Sequence, residues 1–511
     1  MEPIFTDKQL NNMSREDLIS LMKIVQEQTK KKDTEIQLLK DKQKELEFLN
    51  AMLSDRLTLA QRKQFGASSE KYAEGYEQMN LFNEAEANAD AETEELFEEI
   101  RPSSYKCKKR KGKKEEDLSN FETVATRTYK LEGEARYCPA CGSMKRPEKE
   151  PSLIRGSIAT PSLVAGIMNA KYVNGMPLAR QEREFARYDL DLSTKTMANW
   201  IINCADRYLK PLYQLMKEEL LESRYIHCDE SRIQVLGEPD QKGTTQNWMW
   251  VYLTDEFSGS PQMVLFDYER TRAGYHPVNF LGDRFHGYLT CDGYQAYHSL
   301  GEGIIVSGCL THARRRFDAA LTALKKDFTK EQLKETIAYQ AMSRIGILYK
   351  IEEMIHNKAP EEKYEERQKQ SRPVMDALFE WLHSMEDSVD SSSLIGDAIL
   401  YTLNQETYLR RYLDDGHLSI DNNSAERAIK NFAVGRRNWL FAKSIRGADA
   451  SAVVYSIAET ALLNGLKPYV YLSYVLDELR KMGPFPKPDD LNRLLPWSNE
   501  LPEGFRTKKK K

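Results

Sequence analysis

The chain has 511 residues, too many for one hydrophobic core, so we expect about two to four domains. With 41% hydrophobic residues, 30% charged residues and a net charge of −4, most of it should be globular. No apolar run of membrane-spanning length and no apolar N-terminal signal region are present, which excludes a membrane protein and predicts a cytoplasmic one. Seven widely spread cysteines predict reduced thiols rather than a disulfide framework.

Residues 14–62 predict a long polar helix with a seven-residue repeat. One seam of the repeat is apolar at six of seven positions, namely Leu18, Val25, Leu39, Leu46, Leu53 and Ala60, with Lys32 as the exception. The second seam is apolar at three of six positions, Met22, Ile36 and Leu57. A single amphipathic helix packed on its own protein is the alternative. We favour a coiled coil, which predicts a homo-oligomer.

Residues 63–137 predict a linker, because two blocks of charge stand there among few periodic apolar residues. Residues 84–99 hold eight acidic side chains and no basic one, and residues 106–114 hold seven basic ones. A solvated linker explains both blocks. Beside a nuclease-like core, however, Lys109, Arg110 and Lys111 become candidates for contacts with DNA phosphates.

Residues 138–150 contain one half of a zinc-ribbon pattern. Cys138 and Cys141 lie in Cys-Pro-Ala-Cys-Gly, but no second cysteine pair follows to complete four ligands. We therefore expect a truncated zinc-ribbon remnant with an incomplete Zn²⁺ site.

Residues 155–221 predict a helical region. Two helices, Leu178–Tyr188 and Thr194–Tyr208, are separated by a short turn, with Lys195, Thr196 and Asn199 near the start of the second. The pair suits a helix-turn-helix that reads the major groove of DNA, and an ordinary helical hairpin equally well.

The remaining sequence predicts a multidomain α/β protein whose core, at 222–325 and 413–445, is a ribonuclease-H-like mixed sheet. Strands are expected at Tyr225–Leu236, Asn247–Thr254, Gln262–Tyr268, Gly287–Asp292 and Ile304–Leu310, with helices at Pro277–Leu281 and His312–Lys325. Residues 326–412 have helical periodicity alone, which predicts an all-helical insertion. A C-terminal helical region at 446–490 and a basic tail at 491–511 complete the chain.

Three acidic residues have the settings of a catalytic centre. Asp229 and Asp292 each follow a cysteine at the end of a predicted strand, and Glu426 opens a predicted helix. Singly, each has a plain explanation: a strand end, a turn, or a capping box with Asn423. Because side chains alternate along a strand, however, both cysteines can be buried while the two aspartates converge. The same alternation prevents Asp229 and Glu230 from sharing one site, and the periodicity does not choose between them.

Basic residues surround the acids. No acidic residue interrupts the stretch Arg427–Arg446, which a solvated helix face does not explain. We predict contacts with DNA phosphates from Arg315, Arg316, Arg427, Lys430, Arg436, Arg437 and Lys443, with Trp439 and Phe441 available to pack or stack.

Several blocks resemble bacterial insertion-sequence transposases of the IS66 family. They are His227-Cys-Asp-Glu-Ser, Thr290-Cys-Asp-Gly-Tyr, Gly308-Cys-Leu-Thr-His-Ala-Arg-Arg-Arg-Phe, Asp421-Asn-Asn-Ser-Ala-Glu-Arg-Ala-Ile-Lys, Gly435-Arg-Arg-Asn-Trp-Leu-Phe-Ala and Ala461-Leu-Leu-Asn-Gly-Leu-Lys-Pro-Tyr. They occur in the family's order, and Gln64-Phe-Gly-Ala-Ser-Ser-Glu-Lys resembles the block after its zipper-like helix. The resemblance covers nearly the whole chain.

The resemblance implies that Asp229, Asp292 and Glu426 are the acidic triad of a DDE-type transposase, and so favours Asp229 over Glu230. It implies two Mg²⁺ or Mn²⁺ ions, cleavage at the terminal inverted repeats of the element, and strand transfer into target DNA. The partners are then double-stranded DNA and small accessory proteins of the same element, near the bacterial nucleoid. The alternatives are another ribonuclease-H-like metal nuclease and an inactive transposon-derived DNA-binding protein.

The chain departs from the family pattern at two places. The second cysteine pair of the zinc-binding domain is missing, which places Zn²⁺ binding in doubt. Leu310-Thr311 also stands where the family usually has Trp-Ala, so local packing there should differ.

Overall fold

The computed structural model describes Arg15, Leu118 and residues 128–146, 149–238, 246–386, 388–483 and 486–507. These residues form a mixed α/β protein. Apart from Arg15, the predicted coiled coil at 14–62 lies outside the described residues, as do Lys109, Arg110, Lys111 and the four C-terminal lysines. None of the described helices combines the length and apolar character needed to cross a lipid bilayer.

Helices precede, interrupt and follow the sheet. Before it lie α1 (Pro161–Met168), α2 (Leu178–Arg187), α3 (Thr194–Cys204) and α4 (Lys210–Glu222). Between its strands or after them lie α5 (Tyr275–Leu281), α6 (Leu310–Leu324), α7 (Lys330–Glu335), α8 (Ile337–Ile355), α9 (Pro360–Glu366), α10 (Arg372–Glu386), α11 (Leu394–Asn404), α12 (Glu406–Arg410) and α13 (Asn423–Trp439). The last are α14 (Ile445–Leu463), α15 (Pro468–Met482) and α16 (Pro488–Asn492).

The sheet has six strands: β1 (Tyr225–Val235), β2 (Gln246–Thr254), β3 (Val264–Glu269), β4 (Gly287–Thr290), β5 (Ile304–Ser307) and β6 (Phe441–Ala442). The order is β3-β2-β1-β4-β5, and β6 pairs with the end of β1. The first three strands form an antiparallel meander, whereas β4, β5 and β6 join as parallel strands. All five strands expected from the sequence are present; β6 was not expected.

Helix α14 covers the outer edge of the sheet. The backbone N–H of Phe266 in β3 donates to Ser456 Oγ at 2.8 Å. The N–H of Val264 donates to Thr460 Oγ1, which in turn donates to Val264 O, both at 3.0 Å. An edge strand exposes unpaired backbone groups, so these two hydroxyls replace a missing strand neighbour.

One continuous hydrophobic core joins the sheet to the helices on either side of it in sequence. It includes Leu212 of α4, Phe266 of β3, Phe432 of α13 and Tyr455 of α14. The regions distinguished at 155–221 and 446–490 therefore share this core with the sheet.

The described residues divide into two compact units. The larger contains the sheet, the helices before it, residues 344–379 and the chain from 404 onward. The smaller, at 315–343 and 380–403, is helical, with its own apolar cluster of Ala320, Leu321 and Ala338. The structure has helices and no strand over the described part of 326–412.

Candidate active site

Asp229 and Asp292 occupy matching positions on two adjacent parallel strands. The register pairs Ile226 with Leu289 and His227 with Thr290, so each aspartate lies two residues beyond the last pair. The preceding residues, Cys228 and Cys291, are fully buried. The Asp292 side chain is 20% exposed and Asp229 is half-buried, which agrees with the expected alternation of buried thiol and outward acid.

Asn422 fastens the start of α13 to β1. Its Nδ2 donates to the carbonyl oxygen of Cys228 at 2.8 Å, and its backbone N–H donates to Cys309 Sγ at 3.1 Å. The N–H of Glu426 donates to Asn422 O at 3.2 Å. Glu426 therefore lies one helical turn from a residue bonded to the chain directly before Asp229.

The capping-box explanation of Glu426 is wrong. Asn422, not Asn423, is the N-cap of α13, and its side chain makes no capping hydrogen bond; the N–H of Asn423 donates to Asp421 Oδ1 at 3.1 Å. The side chain of Asn422 is used between β1 and the helix instead, and the Asn423 amide donates to Asp421 Oδ2 at 2.7 Å.

A buried polar network of His227 and Asp255 supports the side chain of Asn422. His227 bonds through Nδ1 to Asn422 Oδ1 at 2.8 Å and through Nε2 to Asp255 Oδ2 at 2.7 Å. Both partners are acceptors, so the imidazolium satisfies both contacts. Burial lowers the pKa of His227, but Asp255 and Asn422 outweigh it and raise that pKa overall. Burial raises the pKa of Asp255, yet His227 and hydrogen bonds from Phe257 and Ser419 bring it below its usual value.

Several negative charges act on Asp229. Burial raises the pKa of its carboxyl well above the usual range, and the charges of Glu230, Asp292 and Glu426 add to the shift. The charges of the other two sequence-predicted acids thus act on Asp229, although among the described residues Asp229, Asp292 and Glu426 do not form a group whose ligand atoms all lie within 4.8 Å of one another. Neighbouring carboxylates suit a hard divalent cation, which prefers oxygen ligands and offsets their repulsion.

Glu230 makes a different set of contacts from its neighbour. Arg272 Nε donates to Glu230 Oε1 at 2.6 Å, and the Tyr297 hydroxyl donates to Glu230 Oε2. An Arg272 Nη2 lies 4.0 Å from Asp292 Oδ2, and the guanidinium stacks 3.7 Å from the centre of the Tyr294 ring. Burial and the charge of Asp292 raise the pKa of Glu230 despite these donors.

Arg367 holds the chain that leads into Asn422. Only 1% exposed, it bonds both carboxylate oxygens of Glu352 at 2.9 and 2.7 Å. It also donates to the carbonyl oxygens of Tyr412, Asp415 and Leu418, each at 2.8 Å. One guanidinium from the region expected to be an insertion thus fixes the segment just before the buried network.

The predicted DNA-contacting residues fall into two overlapping groups, and Arg427 belongs to both. Some make contacts within the protein: Arg316 Nη1 donates to Asp397 at 2.5 Å, Arg427 Nη2 to Ser424 Oγ at 2.9 Å, and Arg436 Nη1 to Arg232 O at 2.5 Å. The side chains of Arg315, Arg427, Lys430, Arg437 and Lys443 are exposed. Trp439 packs edge-on against Tyr172 at 6.3 Å, which favours packing over base stacking there.

The two helices at 178–204 are joined by a turn that their side chains stabilise. Glu182 accepts from the N–H of Thr194 at 3.1 Å, and Ser193 caps α3 by accepting from the N–H of Thr196 at 3.2 Å. Lys195 and Asn199 are exposed on α3, whereas Thr196 is engaged by the cap.

Cys138 and Cys141 lie in a tight hairpin. The N–H of Cys138 donates to Ser143 O and that of Gly142 to Cys138 O, both at 2.8 Å. Across the part of the chain that the structure describes, no third metal ligand joins these two thiols.

Arg272, Asn422 and Arg367 were not predicted to have a role from the sequence. The Asp-Asn-Asn block was a usable signal for Asn422. Arg272 stands in a loop after β3, and Arg367 in a π-helical turn among many charged residues, so neither position carried a pattern.

Comparisons with known proteins identify the family. Residues 156–450 match the profile described as "Transposase IS66 family", and residues 456–497 match the "IS66 C-terminal element". Residues 52–120 match "Transposase C of IS166 homeodomain". The chain belongs to the IS66 family of transposases.

Three relatives from Sinorhizobium fredii (strain NBRC 101917 / NGR234) carry the names uncharacterized protein y4jD, y4hP and y4qI. The chain is 31% identical to y4jD over 71% of its own length and 70% of the relative's. It is 32% identical to y4hP over 67% and 62% of the two lengths, and 31% identical to y4qI over 68% and 64%. The aligned part therefore spans less than two thirds of y4hP and y4qI.

Proposed function

We propose that the protein is a DNA transposase with a ribonuclease-H-like core, in which Asp229, Asp292 and Glu426 form the catalytic centre. The supporting observation is the placement of these acids: two at matching positions of parallel strands, and a third on a helix bonded to the same strand, with the charges of Asp292 and Glu426 both acting on Asp229. The strand order, an antiparallel meander extended by parallel strands, agrees with such a core.

The three carboxylates would hold Mg²⁺ or Mn²⁺. When bound, such cations supply Lewis-acid activation of the attacking oxygen and neutralise charge at the phosphate. The protein's own task is then positional. The hydrogen bond from Asn422 would hold the start of α13, which carries Glu426, against the strand that carries Asp229, and Arg272 compensates the adjacent charge of Glu230.

Helix α13 supplies an adjacent basic surface for the DNA backbone. Arg427, Lys430 and Arg437 are exposed and, at 100° per residue, project from one face of the helix. That face adjoins the one that carries Glu426. Phosphates bound there would place a DNA strand alongside the acids, with an affinity that falls as salt rises.

DNA cleavage at an element end tests this function. Full-length protein is incubated with a labelled inverted-repeat end and Mn²⁺, and nicked and joined products are separated. We expect wild type to give both products, and Asp292→Asn to give neither while still shifting the DNA in a gel. Substantial cleavage by Asp292→Asn would contradict the assignment of the acids. Nicking without joining would instead indicate a metal nuclease.

A further inference from the structure

A second group of possible metal ligands borders the acidic centre. The ligand atoms of Cys309, His312 and Glu426 all lie within 4.8 Å of one another. His312 Nδ1 is 3.8 Å from Glu426 Oε1. Among the described residues, this is the group of three or more His, Cys, Asp and Glu side chains that meets this spacing.

Two helix starts bring the three side chains together. Cys309 directly precedes α6 and His312 lies in its first turn, where the N–H of His312 donates to Cys309 O at 3.2 Å. Residues three apart share one face of such a turn. Glu426 comes from the first turn of α13, whose start is attached to the same thiol through the N–H of Asn422.

The three side chains differ in their exposure to solvent. Cys309 is 1% exposed, whereas the side chains of His312 and Glu426 are 29% and 21% exposed. A cation could enter from solvent between the imidazole and the carboxylate and reach the thiol behind them. A fourth position would remain for water.

The separations suit a transition metal with only small side-chain movement. Zn²⁺ binds sulfur, nitrogen and oxygen at about 2.0–2.3 Å, which places tetrahedral ligands about 3.3–3.8 Å apart. The imidazole nitrogen and the carboxylate oxygen lie 3.8 Å apart, so they would approach by about 0.5 Å to reach the roughly 3.3 Å that two ligands at about 2.0 Å span. Sulfur and imidazole ligands favour Zn²⁺ or Co²⁺ over Mg²⁺, which prefers an all-oxygen shell.

We propose that Cys309, His312 and Glu426 form a site for one borderline-soft divalent cation, Zn²⁺ or Co²⁺. The site is separate in its ligands from Cys138 and Cys141, and it shares Glu426 with the acidic centre. The proposal does not rest on the transposase function, because it concerns binding alone. Where both hold, Zn²⁺ withdraws Glu426 from the acidic centre and inhibits cleavage supported by Mn²⁺.

Co²⁺ spectroscopy on the full chain tests the site directly. The background variant is Cys138→Ser/Cys141→Ser, which removes the other candidate thiols. Chelator-treated protein is titrated with Co²⁺. We expect one equivalent to bind with a thiolate-to-cobalt charge-transfer band and visible d–d bands, and one equivalent of Zn²⁺ to abolish them.

Variants of the ligands give the decisive comparison. Cys309→Ser should lose the charge-transfer band, and His312→Gln should weaken Co²⁺ binding at least tenfold. Cys204→Ser, which alters a buried thiol in α3, is the matched control and should keep the full spectrum. If circular dichroism shows that Cys309→Ser is unfolded, the spectrum of Cys309→Ala and the Co²⁺ titration of His312→Gln decide whether the site exists. A background protein that binds no Co²⁺, or a band that survives loss of Cys309, overturns the proposal.

Discussion

Asn422 donates a hydrogen bond from Nδ2 to the carbonyl oxygen of Cys228 at 2.8 Å, and so joins the helix that carries Glu426 to the strand that carries Asp229. The two residues are far apart in sequence and both fully buried. Because a buried amide that loses its partner leaves polar groups unsatisfied, this contact should be costly to break. The position of Glu426 therefore depends on Asn422, a residue that need not touch DNA.

Replacing Asn422 should therefore reduce both stability and cleavage. Asn422→Ala leaves Cys228 O and His227 Nδ1 without their partner, and we expect a loss of about 1–3 kcal/mol in the free energy of unfolding. Chemical denaturation measures it. Asn423→Ala, whose amide contacts only the local Asp421, is the control and should cost less. Equal losses in the two variants would show that the link to β1 contributes little.

Removing Arg367 should destabilise the segment before α13. Arg367→Met leaves the Glu352 carboxylate, which is 15% exposed, without its cation and three buried or partly buried carbonyl oxygens without a donor. We expect a cost of about 3–5 kcal/mol, measured by denaturation. Arg372→Met, which loses only a contact with Gln368 at the surface, should change stability little. A stable Arg367→Met variant with normal cleavage would exclude the anchoring role.

The exposed basic side chains of α13 should set the salt dependence of DNA binding. Replacing Arg427, Lys430 and Arg437 by Gln should reduce the slope of log affinity against log salt by roughly 2 to 3, because each phosphate contact contributes about 0.9. Fluorescence anisotropy across a salt series measures the slope. The same change at the exposed Lys467, Lys481 and Lys487 should leave it unaltered. An unchanged slope in the α13 variant would place the DNA elsewhere.

Asp267 on β3 should make stability depend on pH. Burial raises the pKa of its carboxyl to about 6; Lys217 lowers it and Asp449 raises it further. A pKa raised on folding gives stability that is present at low pH and lost as the pH rises through about 6. We expect Asp267→Asn to match wild type near pH 4 and to exceed it by about 2–3 kcal/mol near pH 8. Thermal unfolding across pH measures the gap, and a gap that shrinks with pH would contradict the shift.

Most of the sheet could be predicted from the sequence because its strands are rich in aromatic and β-branched residues. The residues at which the strands end could not be predicted. The strand expected at Gly287–Asp292 stops at Thr290, since Asp292 turns to accept the N–H of Tyr294 at 2.9 Å. The strand expected to reach Leu310 stops at Ser307, because Leu310 already begins α6. Such ends depend on local contacts that periodicity does not record.

The matching positions of Asp229 and Asp292 could be predicted from their sequence context, but the residues that support the candidate site could not. Asp229 and Asp292 each follow a buried cysteine, a local pattern that alternation explains. The contacts of Asn422 with Cys228 and of Arg367 with Tyr412 span long stretches of chain. Arg272 reaches Glu230 from a loop. These partners meet only in the folded chain, so their spacing in the sequence does not predict the contacts.

Calorimetric measurement of Mn²⁺ binding shows whether the three acids act on one cation site. Asp229→Asn, Asp292→Asn and Glu426→Gln are compared singly and in pairs in the Cys138→Ser/Cys141→Ser background. We predict that each single change weakens Mn²⁺ binding at least tenfold and that paired changes add far less than the sum of their parts. Fully additive losses, or a Glu426→Gln variant that binds Mn²⁺ as wild type does, would contradict a shared centre.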